Sequence, residues 1–409
     1  MDDISKWEEI KRYRDIFCVK DYIKKHPESN FRHEADSLYC ELKDEMLKKM
    51  KESPSEFSKK DIQRIIDADI FKKWELMDED LITNESWEDL FKTDKDLFLN
   101  IFDYQIEDPT ISAPEGCTDI FLFGTPGTGK TCLLMGLTAA NGNGYTLNMR
   151  THGGAYAAAL QQYANAGITP GRTYSRFVTI INGDVDEIVK GDKIVSHRIN
   201  LVEMSGEELA LRIADNKEVS LANMGTGATN LLKNDNKKVF FIIVDASNPI
   251  VTVKYMEDIK DADGRVVEQR IRGKYVNQLD ILNKFVSLFE LPENQEIMKK
   301  VDAIHFVVTK ADMLGEKGER LKKAHDLLLD TYKGPVAQLK KYCLKSKRIN
   351  FSTNYCPQVI PFSLGKFYLG DTFEFDREDS LVFMDFVRSI IRKRKEPIFE
   401  KIKKWLKGR

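Results

Sequence analysis

The segment that most constrains this chain runs from Asp119 to Thr131, where the apolar run DIFLF leads directly into the glycine-rich sequence GTPGTGKT. The second part matches the pattern G-x-x-x-x-G-K-[ST], a loop whose backbone N–H groups surround a phosphate. The apolar run CLLMGLTAA that follows predicts a helix whose amino terminus faces the anion. The segment therefore predicts a strand, a tight turn and a helix in immediate succession, with a phosphate held at the turn.

Each residue type in this loop has its own part in holding a phosphate. Glycines let successive N–H groups turn inward, Lys130 reaches the β- and γ-phosphate oxygens, and the Thr131 hydroxyl completes a Mg²⁺ shell. The candidate phosphate-binding residues are Gly124, Gly127, Thr128, Gly129, Lys130, Thr131 and Cys132.

Composition excludes several function classes. The 409 residues are 42% hydrophobic and 31% charged with a net charge of −2, so nothing favours a nucleic-acid partner. The charged amino terminus and the lack of a long apolar run predict a cytoplasmic protein. The six cysteines form no CxxC pair, so neither a zinc site nor a disulfide framework is expected.

Residues 1–110 are rich in Lys, Glu and Asp and carry apolar residues at helical spacing, which predicts an all-α module. His26-Pro27 separates two helical runs and resembles the turn of one tetratricopeptide-like unit. Ser58 is placed to cap a further helix. We interpret this module as a site for a protein partner; the alternative is a helical extension that has no partner.

Residues 111–395 differ in pattern, because buried strand-like runs alternate with helical stretches. The runs are DIFLF, RFVTII, RINLVEM, VFFIIVDA, AIHFVVT and QVIPFS. This alternation predicts an α/β, doubly wound, mainly parallel sheet covered by helices on both faces. The segment DREDSLVFMDFVRSIIRKRK predicts a terminal helix that packs on the sheet.

The strand AIHFVVT ends in Thr309, Lys310, Ala311 and Asp312, the pattern [NT]KxD. A carboxylate at this position accepts hydrogen bonds from both N1–H and the 2-amino group of guanine, and adenine does not offer these two donors together. The Lys310 stem can lie over the base. The motif therefore predicts GTP and GDP as ligands.

With both motifs present, residues 117–395 resemble the Ras-like and translation-factor-related class of P-loop GTPases. The resemblance implies that Glu203 stands where the class has the aspartate of D-x-x-G, which holds Mg²⁺ through a water. It also implies that the Gly206 N–H senses the γ-phosphate, that Glu207 orients the attacking water and that Lys130 assists hydrolysis. Thr173 is expected to close over Mg²⁺, with Thr169 as the alternative, and the loop at Ser363 and Leu364 to support guanine O6.

Lys130 and Asp312 lie farther apart in the chain than in a compact Ras-like domain, so we expect insertions near 141–171 and 248–291. The first is predicted to contain a strand and an alanine-rich helix, and the second a hairpin before a helix. The first insertion resembles one in prokaryotic double-GTPase and conflict-system GTPases. Both are expected near the nucleotide, where a protein partner could bind.

The sequence predicts a GTP-hydrolysing switch that controls a protein partner, and two alternatives stay open. The spelling TPGTGK is common in AAA-type ATPases, although Asp245, in the strand that would bear their acidic pair, is followed by Ala246. Because Glu203 and Glu207 depart from the usual residues, a GTP-bound scaffold with negligible hydrolysis is the other alternative.

The carboxy-terminal tail, residues 396–409, is basic and amphipathic. It predicts either a peripheral contact with an anionic membrane or, as the favoured alternative, a helix packed on the protein.

Overall fold

The computed structural model describes residues 3–82, 110–142, 144–170, 177–189, 193–206, 210, 219–247, 250–260, 266–345, 358–369 and 372–392. The tail at 396–409 lies outside the described residues, so its membrane contact stays a prediction. Among the described helices, none combines the length and hydropathy needed to cross a bilayer.

The described helices are α1 (Asp3–Tyr13), α2 (Ile16–Lys25), α3 (Arg32–Glu52), α4 (Lys59–Asp67), α5 (Lys73–Asp78), α6 (Lys130–Ala139), α7 (His152–Asn165), α8 (Thr226–Lys233), α9 (Gln278–Ser287), α10 (Gln295–Met298), α11 (Lys317–Asp330), α12 (Lys333–Lys345) and α13 (Glu378–Arg392). The described strands are β1 (Thr118–Phe123), β2 (Tyr145–Leu147), β3 (Val178–Val189), β4 (Lys193–Met204), β5 (Lys237–Asp245), β6 (Ile250–Lys260), β7 (Val266–Asn277), β8 (Val301–Thr309), β9 (Val359–Phe362), β10 (Gly365–Tyr368) and β11 (Thr372–Phe375).

The chain divides into two compact units. Unit 1 consists of Met1–Leu97, Gly167–Thr169 and Lys366–Glu374, and unit 2 of the remaining residues. In its first segment, the described residues 3–82 are helical, as predicted. The core of unit 1 includes Trp7, whose ring centroid lies 5.1 Å from that of Tyr22. Helix α4 begins at a capping box, in which Ser58 and Asp61 each accept the other's backbone N–H.

Two short segments from later in the chain belong to unit 1. Leu369 is buried in its core and donates its N–H to the carbonyl of Leu81 at 3.0 Å. Thr372 forms an antiparallel bridge with Ile168. The hairpin of β10 and β11 has no counterpart among the sequence predictions, because its strands are only four residues long and carry no extended apolar run.

Unit 2 is built on a seven-stranded sheet of order β2-β3-β4-β1-β5-β8-β9. Strands β4, β1, β5, β8 and β9 are parallel, whereas β3 pairs antiparallel with β4 and β2 antiparallel with β3. The predicted α/β, mainly parallel fold is confirmed. Each predicted apolar run forms a strand because its residues are buried on both faces of the sheet.

Helices cover both faces of this sheet. On one face, Phe123 of β1 packs against Phe285 of α9 with ring centroids 4.8 Å apart. On the other face, Phe241 of β5 packs against Phe383 of α13 at 4.7 Å. The terminal helix predicted from the sequence is therefore α13, and it packs on the sheet as expected.

The elements predicted in the insertions are also present. Strand β2 and helix α7 lie within 141–171, and the antiparallel pair β6 and β7 precedes α9 within 248–291.

A buried polar cluster ties together the amino-terminal ends of the central strands. Asp119 of β1 accepts hydrogen bonds from Asn200, Asn234 and Asn236, at 2.6, 2.8 and 3.1 Å. Lys238 of β5, with 0% of its surface exposed, donates to the carbonyls of Asn234 and Asn236. Burial lowers the pKa of Lys238 to about 8.

Lys238 makes stability depend on pH with a definite sign. Between its folded pKa of about 8 and its ordinary value of 10.5, the unfolded chain binds more protons than the folded chain, so stability rises with pH. We compare the free energy of unfolding of the wild type with that of Lys238→Met. The wild-type value minus the variant value should increase by roughly 3 kcal/mol from pH 8 to pH 10.5. Chemical denaturation at several pH values measures it, and a difference that stays flat would contradict the assignment.

Candidate functional site

The site lies at the edge of the sheet where the parallel strands β1, β4, β5, β8 and β9 end. In a doubly wound sheet this is the edge at which ligands bind. The phosphate loop follows β1, the Glu203 segment ends β4, the TKAD motif follows β8, and Ser363 follows β9. The fold thus brings the separate sequence motifs to one edge.

The phosphate loop has the backbone conformation that its glycines permit. Gly127 and Gly129 have φ of +76° and +77°, a region that favours glycine. Lys130 begins α6, is nearly buried, and donates from Nζ to the carbonyls of Gly124 and Thr125, both at 2.9 Å. Thr131 and Cys132 complete the first turn of α6, so their backbone N–H groups belong to the amino terminus that attracts an anion.

Glu203 and Thr131, far apart in sequence, are in direct contact. Because β4 runs parallel to β1, Glu203 pairs with Leu122 and lies beside the loop. The Thr131 hydroxyl donates to Glu203 Oε1 at 2.5 Å, and Glu203 is fully buried.

This pair fits Mg²⁺, which prefers oxygen ligands and few protein groups. By donating its proton to the carboxylate, the Thr131 hydroxyl keeps its oxygen lone pairs for a cation. Among the residues that the structure describes, no cluster of three His, Cys, Asp or Glu side chains forms an alternative metal site.

Gly206 packs directly against the phosphate loop. A Cβ at this position would lie 2.5 Å from the carbonyl oxygen of Gly124 and 2.6 Å from Lys130 Nζ. Only glycine brings the backbone this close. Thr173 and Glu207, the other predicted residues on the phosphate side, lie outside the described residues and stay predictions.

The TKAD motif meets the loop predicted to support the base. The Ser363 hydroxyl donates to Asp312 Oδ1 at 2.9 Å, and burial raises the pKa of Asp312 above its usual range. Leu364 has a buried side chain, and its carbonyl accepts the Asp376 N–H at 2.8 Å.

Lys310 has the left-handed φ of +55°, uncommon outside glycine. Its ammonium pairs with the Asp245 carboxylate at 2.6 Å. Asp245 is nearly buried and also accepts the N–H of Ser247 at 2.7 Å.

Thr309 connects the two halves of the site. Its buried hydroxyl donates to the carbonyl of Thr128 at 2.6 Å and lies 3.0 Å from the carbonyl of Val244. The motif residue therefore braces the TKAD turn against the phosphate loop.

Sequence reasoning missed two residues of this edge. Asp245 was considered only as the metal-binding acid of an ATPase, whereas it pairs with Lys310. Tyr156, in the first insertion, donates from its hydroxyl to Glu203 Oε2 at 2.7 Å. No local pattern distinguishes this tyrosine, because its partner lies 47 positions away and the contact exists only in the folded chain.

Comparison with known proteins adds little to this geometry. No protein-family model matches the chain, and no curated protein matches it. Among solved structures, it is similar to a crystal structure from Plasmodium falciparum titled as a nucleolar GTP-binding protein 1. The two share 12% identity with a TM-score of 0.29, over 73% of this chain and 98% of the other. A similarity this weak carries no argument, so inference about function rests on the site.

Proposed function

We propose that this chain is a P-loop GTPase that binds GTP and GDP with Mg²⁺ and hydrolyses GTP, acting as a molecular switch. The observation that carries the proposal is the hydrogen bond from Thr309 to the Thr128 carbonyl at 2.6 Å. It joins the base-selecting turn to the phosphate loop, which supports one site for one nucleotide.

The base preference follows from the chemistry of Asp312. An ionised carboxylate only accepts hydrogen bonds, and guanine presents two adjacent donors, N1–H and the 2-amino group. The Ser363 hydroxyl donates to Oδ1 and orients the carboxylate. Asp245, which would bind the metal in the ATPase alternative, pairs instead with Lys310 of the TKAD motif. This pairing favours the GTPase interpretation.

Hydrolysis is proposed to proceed by in-line attack of water on the γ-phosphate. Lys130 is assigned to stabilise charge that develops on the phosphate oxygens. The Gly206 N–H, which lies against the loop, is assigned to contact the γ-phosphate. Thr131 and Glu203 would hold Mg²⁺, which would supply positive charge to the phosphate groups. Glu207 is assigned to orient the water and Thr173 to close over the metal; ordering of their loops by GTP and release after cleavage would constitute the switch.

Partner control is the further part of the proposal. The helical module at 1–110 and the two insertions are the candidate surfaces for a protein partner, and no nucleic-acid partner is proposed. A cytoplasmic location belongs to the same proposal.

Nucleotide competition tests the proposed ligand. We expect GTP and GDP to displace a fluorescent GDP analogue from the purified chain in the presence of Mg²⁺. ATP should need roughly 10,000-fold higher concentration, because a site built to hydrogen-bond one base leaves buried groups unpaired with another. Equal displacement by ATP and GTP, or displacement by ATP alone, would refute the guanine assignment.

A further inference from the structure

Glu203, which departs from the aspartate of the resembled class, has 0% of its surface exposed. Its side chain is one methylene longer than the aspartate of D-x-x-G, so its carboxylate has an additional torsion to be fixed. Octahedral Mg²⁺ tolerates little displacement of its ligands. A glutamate in this position therefore needs an orienting contact that an aspartate would not need.

The structure supplies that contact from the first insertion. Tyr156 donates to Oε2 of Glu203 at 2.7 Å while Thr131 donates to Oε1 at 2.5 Å. Each carboxylate oxygen of Glu203 thus accepts a hydrogen bond from a different hydroxyl. Both Tyr156 and Glu203 have 0% of their surface exposed.

The position of Tyr156 is itself fixed by close packing of α7 on the sheet. A Cβ at Gly153 would lie 1.8 Å from the carbonyl oxygen of Ile180 in β3, so the first turn of α7 touches the strand backbone. The Thr151 hydroxyl caps this turn by accepting the Gly154 N–H at 3.0 Å. The Tyr156 ring packs on Phe177, with centroids 5.2 Å apart.

We propose that Tyr156 is a positioning residue that holds the Glu203 carboxylate for Mg²⁺, and that the first insertion is thereby part of the nucleotide site. This inference rests on the proposed function. In this proposal the longer acid at the end of β4, Glu203, goes together with a tyrosine on α7, the helix of the first insertion. Phe177, which Tyr156 contacts, directly follows in sequence the segment that contains Thr173.

The test titrates Mg²⁺ into the chain and a fluorescent GDP analogue in buffered EDTA. It measures the Mg²⁺ concentration at which retention of the analogue is half-maximal. Tyr156→Phe removes one hydroxyl and keeps the ring on Phe177. We expect its half-maximal Mg²⁺ concentration to rise about 10-fold or more, as for other residues that orient metal ligands. Nucleotide affinity in EDTA alone should stay within about twofold of the wild type, since no phosphate contact changes.

Two further variants separate positioning from a general structural role. Tyr163→Phe, on the same helix, is the matched control and should leave the Mg²⁺ requirement unchanged. In Glu203→Asp, whose shorter side chain cannot reach both hydroxyls, adding Tyr156→Phe should change the requirement less than twofold. An equal loss of GDP affinity with and without Mg²⁺ would show a structural role and overturn the inference.

The outcomes distinguish this inference from the proposed function. If the wild type retains GDP in a Mg²⁺-dependent way and Tyr156→Phe has the same requirement, the positioning role is refuted and the proposed function stands. If the wild type binds no guanine nucleotide with or without Mg²⁺, both are refuted.

Discussion

Replacing Asp312 with Asn is expected to change the base preference from guanine to xanthine. The carboxylate accepts from two guanine donors, whereas the asparagine amide presents one acceptor and one donor. Xanthine matches the amide because it keeps N1–H and carries an oxygen in place of the 2-amino group. The asparagine loses one hydrogen bond to a charged group, which is worth about 1.5–3 kcal/mol, so GTP affinity should fall roughly 10- to 150-fold.

The Asp312→Asn change is expected to leave the loop around it in place. Asparagine Oδ1 can still accept the Ser363 hydroxyl that Asp312 accepts at 2.9 Å. Competition by GTP and by xanthosine triphosphate against a fluorescent nucleotide measures the change in base preference. Asp326→Asn, at an exposed position on α11, is the matched control and should bind GTP normally. A variant that retains full GTP affinity would remove Asp312 from the base site.

The wild type and Asp312→Asn should differ in how guanine affinity depends on pH. Burial raises the pKa of Asp312, so protonation removes an acceptor at a higher pH than for an ordinary aspartate. Guanine affinity of the wild type should therefore weaken as the pH falls through this raised pKa, while Asp312→Asn shows no such loss.

Replacing Lys130 with Ala is expected to reduce single-turnover GTP cleavage roughly 100- to 1,000-fold, the usual cost of removing one donor to a developing charge. Lys130 Nζ lies at the phosphate loop, 2.9 Å from two of its carbonyl oxygens, and no other described side chain of the loop carries a positive charge. Rapid mixing of excess protein with GTP, followed by quantification of GDP, measures the rate.

Lys322→Ala, at an exposed position on α11, is the matched control for charge and size and should cleave GTP at the wild-type rate. Circular dichroism of Lys130→Ala checks that the chain remains folded. Cleavage that survives the Lys130 change would indicate a contaminating enzyme or a different site.

The local parts of this protein follow from its sequence. The six apolar runs form strands because they are long enough, and apolar enough on both faces, to be buried in the sheet. The alanine-rich helix and the second hairpin were predicted for similar reasons. The pair β10 and β11 was not, because short strands with mixed polarity carry little periodic signal. The antiparallel pairing of β3 was also beyond the sequence, since strand direction depends on connections between distant segments.

The sequence by itself identified the motifs that contiguous residues form: a predicted phosphate loop in residues 124–131 and a predicted base-selecting turn at TKAD. Only the tertiary structure decided which distant side chains complete that chemistry. It brought Glu203 to Thr131, Ser363 to Asp312 and Tyr156 to Glu203. The physical reason is that parallel strands joined by crossovers end at one edge, so contacts across this edge depend on strand order and register. Neither strand order nor register can be read from a local stretch of the sequence.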